Sequence, residues 1–161
     1  SRYIKKMPVE DLAQKCKVFL ENDGITIKDD GWLKTLVQLL QDRLSYISEI
    51  VHLYHSFFDT SFNLSDEGLS FLKDNQSKDI LKSFYSLLEN SSFESNEIEA
   101  IIKQTGLDTN TKGKPLFMSI RIATTGEMHG PSLPISLALL GKDIVLNRLR
   151  KTQQQLRGDL S

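Results

Sequence analysis

The chain has 161 residues, of which 39% are hydrophobic and 25% charged, and a formal net charge of −1. These values are ordinary for a globular protein and leave room for one domain or two small ones. No apolar run approaches the roughly 18 residues needed to span a bilayer, and the start has no apolar signal segment. A single cysteine, Cys16, excludes an internal disulfide and fits a reducing cytosol.

Helical periodicity dominates the first part of the chain. A helix is predicted over residues 9–20, ending at the Asn-Asp-Gly turn of residues 22–24. A second apolar stripe steps by three and four over residues 33–54 and predicts one long helix. A break in that helix near Asp42 or Ser45 is left open, because both residue types favour helix caps.

A cluster of Asp, Thr, Ser and Asn in the sixties predicts a boundary near residue 64. Three helices are expected after it, with N-caps at Ser65, Ser77 and Ser95, and the third is expected to end at Gly106. A loop is predicted over residues 108–113. The chain does not begin with Met, so its start is expected to be a cloning remnant or a cut from a longer protein.

The last three predicted helices are bounded by Pro and Gly. Pro115 opens a helix that ends at Gly126, a short helix runs from Ser132 to Gly141, and a basic helix covers residues 142–157. No run with strand periodicity of any length occurs, so the predicted fold class is all-α.

Charge is distributed unevenly along the chain. Residues 112–161 contain eight Lys or Arg and three Asp or Glu, a net charge of +5. Residues 1–111 contain twelve Lys or Arg and eighteen Asp or Glu, a net charge of −6. A basic end can attract phosphate, although an ordinary solvated helix surface explains the same count.

Signatures of catalysis are absent from the sequence: it has no phosphate-binding loop, dinucleotide fingerprint, nucleophile elbow or zinc-protease motif. His52, His55 and Asp59 have helical spacing that could suit a metal, but no candidate for a fourth ligand exists, so half-buried helix residues are favoured. Cys16 and Trp32 are expected in the core, with base stacking as the alternative for Trp32.

Two arginines interrupt apolar helical runs. Arg43 follows Leu40, and from the residues alone a surface pair with Asp42 or Glu49 is favoured. Arg121 lies between Ile120 and Ile122, and no carboxylate occurs between residues 112 and 125. Such an arginine must snorkel, pair or reach a ligand, and a ligand role and a structural role stay equally open.

A short Gly-Pro loop precedes the second-to-last helix. Gly130 permits close approach of a partner to the backbone, Pro131 fixes the chain direction, and N–H groups at the next helix start can donate to a base or phosphate. An ordinary capped connection between helices explains the same residues.

Three segments together resemble the C-terminal end of bacterial glutamyl-tRNA synthetases: residues 116–126, the loop 130–133, and residues 137–143 with Arg148 and Leu149. Residues 9–20 and 39–44 are similar to the preceding helices of that family. The resemblance implies an all-helical anticodon-binding region of two subdomains, a helix bundle over residues 1–64 and a helical cage over residues 65–161.

The family resemblance implies a role for five residues by position. Arg43 matches the arginine that reads the third anticodon base, and Arg121 matches the one that meets the first. Gly130, Pro131 and Leu133 match the loop that packs on and hydrogen-bonds the first two bases. Some relatives have a hydroxyl residue where Gly130 stands, so only backbone contacts are expected there.

Phosphate contacts are expected from Lys142, Arg148 and Lys151. The resemblance implies tRNA(Glu) and the catalytic domain of the same polypeptide as partners, no membrane, a monomer and a cytoplasmic location. It implies ATP and Mg²⁺ for that catalytic domain, but no catalytic residue, metal or cofactor in this chain.

Two alternatives stay open at this point. A helical protein-interaction module would explain the apolar stripes and the near-neutral charge, but not Arg121 within an apolar helix. A helical anticodon module of the lysyl-tRNA synthetase type would act on a different tRNA.

Overall fold

The computed structural model describes residues 2–158, and within that range it contains helices and no strand, which confirms the all-α prediction. The chain divides into two compact units, Ser1–Asp59 and Thr60–Ser161.

The first unit is helical from its start and includes a short helix that the sequence analysis did not predict, α1. Its core is apolar, with Leu12, Cys16 and Leu36 fully buried. The helical elements are α1 (Arg2–Lys6), α2 (Val9–Asn22), α3 (Asp30–Leu40), two 3₁₀ turns (Gln41–Arg43 and Ile47–Glu49) and α4 (Ile50–Phe57).

The apolar stripe over residues 33–54 is not one helix, which confirms a break near Asp42 or Ser45. Leu44 and Tyr46 have extended backbone, which ends helical hydrogen bonding between the two 3₁₀ turns. The Glu49 carboxylate accepts the Ser45 amide at 2.7 Å and so satisfies one backbone donor that the break exposes.

The second unit packs its helices around a core in which Phe84, Leu81 and Ile120 are fully buried. The second unit begins at Thr60, so the boundary predicted near residue 64 lies a few residues inside it, in the segment before its first helix. The helices are α5 (Asp66–Asp74), α6 (Lys78–Leu88), α7 (Ser95–Thr109), α8 (Lys114–Thr125), α9 (Leu133–Leu140) and α10 (Lys142–Arg157).

The three serines predicted as N-caps behave differently. Ser65 Oγ accepts the Gly68 amide at 3.0 Å, so that cap is confirmed. Ser77 is the N-cap residue of α6 as predicted, but its buried hydroxyl pairs with Ser119 Oγ at 2.7 Å instead of accepting a backbone amide of the helix. Ser95 is the first residue of α7, and the cap position belongs to Glu94.

The prediction that α7 ends at Gly106 is wrong, because this glycine serves close packing inside the helix. A Cβ added there would lie 2.8 Å from Leu116 Cδ2 and 2.8 Å from the Thr111 carbonyl oxygen. The helix continues to Thr109 and ends at Asn110, whose φ of 52° is left-handed. Gly126 and Gly141, with φ of +75° and +90°, end α8 and α9 as predicted.

Candidate nucleic-acid interface

Helix α8 carries Arg121 on a rigid, largely buried scaffold. Leu116, Ile120 and Ala123 of this helix are buried in the second unit. Arg121 is half-buried, and its Nη1 donates to the carbonyl oxygen of Pro131 at 3.0 Å. The sequence predicted that this side chain must snorkel, pair or reach a ligand, and the structure gives it a backbone acceptor in the predicted binding loop.

The loop that follows α8 is held at its C-terminal end, next to α9. Arg121 donates to the Pro131 carbonyl oxygen, and Ser132 Oγ accepts the Ile135 amide at 3.4 Å at the start of α9. Ser136 Oγ donates back to the Ser132 carbonyl at 2.7 Å. Gly130 is exposed, so its backbone is accessible to a partner.

Leu133 contributes less to this surface than its predicted role requires. Its side chain is 3% exposed and lies in the core, so only its backbone could meet a base. The exposed apolar residue of the first turn of α9 is Ile135, at 39%. The sequence analysis missed Ile135, because both residues belong to the same apolar run and only the packing of α9 separates them.

Arg148 contradicts the expectation that it contacts phosphate. It is 3% exposed, its Nη1 donates to the Thr124 carbonyl oxygen at 2.9 Å, and its guanidinium lies 5.0 Å from the centre of the Phe62 ring. A buried guanidinium with these contacts holds the C-terminal end of α8 against α10, which is a structural role.

The other predicted phosphate contacts are more accessible. Lys142 and Lys151 are half-buried, and Lys151 Nζ donates to the Thr60 carbonyl oxygen at 3.2 Å. Arg150, which the sequence analysis did not single out, is exposed on α10 and donates to the Tyr85 hydroxyl at 2.7 Å.

In the first unit, Arg43 is exposed on an anchored turn. Gln41 Nε2 donates to the carbonyl oxygens of Ile4 and Met7, both at 2.9 Å, and Leu44 is buried behind the turn. Glu49, one of the two carboxylates expected to pair with Arg43, instead binds the Ser45 amide. Within residues 2–158 no ion pair involves Arg43.

The predicted metal candidates do not converge. No group of three or more His, Cys, Asp or Glu that could hold a metal occurs between residues 2 and 158. His55 Nε2 lies 2.7 Å from Oδ2 of Asp23, the residue that directly follows α2. Between those same limits no helix is both long and apolar enough to cross a membrane.

Cys16 lies in the core of the first unit as predicted, whereas Trp32 is only half-buried. Cys16 is buried, and burial raises the pKa of its thiol to about 11, so the reactive thiolate is disfavoured at neutral pH. The Trp32 ring is half-buried and makes an edge contact with Tyr54, with centroids 6.4 Å apart, and a tilted contact with Phe58.

Comparison with known protein families identifies the family to which this chain belongs. Residues 10–153 match the family model described as "Anticodon binding domain", so the chain belongs to that family.

The sequence is similar to curated glutamate–tRNA ligases. It is 44% identical over 160 residues to that of Acholeplasma laidlawii, covering 99% of this chain and 36% of the relative. It is 38% identical to that of Bacillus licheniformis, covering 96% and 33%. The chain thus spans about a third of the length of the curated relatives it matches. The resemblance expected from the sequence is confirmed.

Two solved structures share the fold at low identity. One is a glutamate tRNA ligase from Elizabethkingia meningosepticum, with 18% identity and a TM-score of 0.79 over 96% of this chain and 31% of the other. The second is a glutamate-tRNA synthetase from Elizabethkingia anophelis, with 17% identity and a TM-score of 0.74 over 95% and 30%.

Proposed function

We propose that this chain recognises the anticodon of tRNA(Glu) as part of a glutamate–tRNA ligase, whose full-length form attaches glutamate to that tRNA using ATP. The observation that carries the proposal is the match to the anticodon-binding family over residues 10–153. The 44% identity to a curated glutamate–tRNA ligase supports the choice of amino acid and tRNA.

The surface of α8 and the following loop suits unpaired bases. The bond to Pro131 restrains the Arg121 side chain, and a planar guanidinium held at this position can stack on a base or bond its edge. Gly130 leaves the backbone accessible, and the loop next to it is fixed by the cap at Ser132. In this proposal Arg121 meets the first anticodon base, while Gly130, Pro131 and the Leu133 backbone meet the first two.

Arg43 is proposed to read the third anticodon base from the first unit. Its turn is anchored through Gln41, so the backbone has little freedom, while its exposed guanidinium can reach a base edge. A good bidentate contact between arginine and a base contributes about 1–3 kcal/mol of discrimination.

Phosphate contacts supply affinity without sequence information. Lys142 and Lys151 are the proposed contacts, and Arg148 is left out because it is buried. ATP and Mg²⁺ would act in the catalytic part of the full-length protein.

The test is binding of this chain to the anticodon stem-loop of tRNA(Glu) and to loops substituted at each anticodon position, across a salt series. The expected result is anticodon-dependent binding that weakens with salt, with a log–log slope of about −0.7 for each phosphate contact to a single strand. Binding whose affinity changes neither with the anticodon sequence nor with the salt concentration would support the protein-interaction alternative instead.

A further inference from the structure

One exposed aromatic side chain lies on the same side of α8 as Arg121. Phe117 is 46% exposed, whereas Leu116 and Ile120 of the same helix lie in the core. Lys114, Phe117 and Arg121 are spaced by three and four residues, so they follow one another along one side of the helix. Lys114 is exposed and Arg121 half-buried, which makes this side a ridge facing outward.

We propose that Phe117 is a stacking platform for the nucleotide that adjoins the base at Arg121, a role that rests on the proposed function. One helical turn separates the two side chains, about 6 Å along the axis. Neighbouring nucleotides of an unstacked strand can therefore meet both. Base stacking on aromatic rings tolerates any base identity, since every base has a π-face.

Charge favours a nucleic acid over an apolar protein segment as the occupant. Residues 112–126 contain three cationic residues and no carboxylate, and two of the cations, Lys114 and Arg121, flank the ring. A ring between cations matches the alternation of base and phosphate along a single strand. The ridge is continuous with the loop of the proposed interface, because Arg121 bonds Pro131 directly.

The test uses the full chain and the anticodon stem-loop carrying 2-aminopurine on either side of the first anticodon base. Phe117→Ala is expected to weaken binding roughly 5- to 150-fold, the range given by stacking of one base. The loss should be the same for purine and pyrimidine at the stacked position. Phe117→Tyr keeps the ring and should bind as the unmodified chain does.

Phe19→Ala is the matched control, because Phe19 is 40% exposed but lies on α2 in the first unit. Phe117→Leu preserves the packing of the buried part of the side chain and removes the ring, so a folded Phe117→Leu variant should also lose binding. If Phe117→Leu and Phe19→Ala bind the stem-loop with equal affinity and binding still depends on the anticodon, the stacking role of Phe117 is wrong and the proposed function is unaffected. Failure of the unmodified chain to bind the loop overturns both.

Discussion

The two arginines proposed to meet anticodon bases are held very differently in their two units. Arg121 is half-buried on α8 and donates to Pro131 at 3.0 Å, so its side chain is already restrained before RNA binds. Arg43 is exposed on a 3₁₀ turn whose backbone is anchored by Gln41. Ordering a long side chain costs up to about 2 kcal/mol. Equal contacts to RNA should therefore yield less net affinity at Arg43 than at Arg121.

A third arginine, Arg148, has a structural role because it is buried. Arg148 contacts Thr124 and the Phe62 ring, and it is 3% exposed. Arg150 lies two positions further along α10 and is exposed, so this pair separates a structural from a surface arginine.

The largest expected effect is on stability. Arg148→Ala should lower the free energy of unfolding of the second unit by about 3 kcal/mol, because it leaves the Thr124 carbonyl without this buried donor and opens a cavity. Urea denaturation followed by circular dichroism measures it. Arg150→Ala is the control, expected to change the free energy by about 0.5 kcal/mol or less. Similar losses in both variants would remove the distinction between the two arginines.

Much of the fold could be predicted because many helix boundaries depend on residues that are close together in the sequence. Ser65, Gly126 and Gly141 act through their own backbone and neighbouring residues, and all three bound helices as predicted. Gly106 and Ser77 could not be predicted in this way. Gly106 is required by the close approach of Leu116, and Ser77 pairs with Ser119. Both partners lie on another helix, α8.

The second largest expected effect is on base discrimination at Arg121, where the geometry of the guanidinium can be tested separately from its charge. Arg121→Lys keeps the charge but loses the planar guanidinium, so discrimination at the first anticodon base should fall by about 2 kcal/mol. Binding to stem-loops substituted at that base measures it. The salt dependence should change little, since the charge is retained. Undiminished discrimination in Arg121→Lys would mean that charge, not geometry, is the property that matters there.

The candidate site was less predictable than the fold, for a physical reason. The position of Arg121 within an apolar helix is visible in the sequence, but its acceptor, Pro131, is a backbone carbonyl that no side-chain pattern reveals. Burial separates Arg148 from Arg150 and Leu133 from Ile135, and each pair belongs to one continuous helix. Periodicity assigns a face to such residues, but it does not say which neighbouring helix covers that face.

The smallest expected effect is at Arg43, and it concerns selectivity alone. Arg43→Gln should reduce discrimination at the third anticodon base by about 1 kcal/mol, the low end of the range for one base contact, because the exposed side chain must be ordered on binding. The variant should unfold at the same urea concentration as the unmodified chain, since its guanidinium is exposed.

Competition between stem-loops that differ only at the third base measures the change at Arg43, with first-base variants as the control. If Arg43→Gln weakens binding to every anticodon variant equally, Arg43 contributes charge rather than base recognition. The first unit would then contribute attraction to phosphate, and base recognition would rest on the preorganised arginine of the second unit.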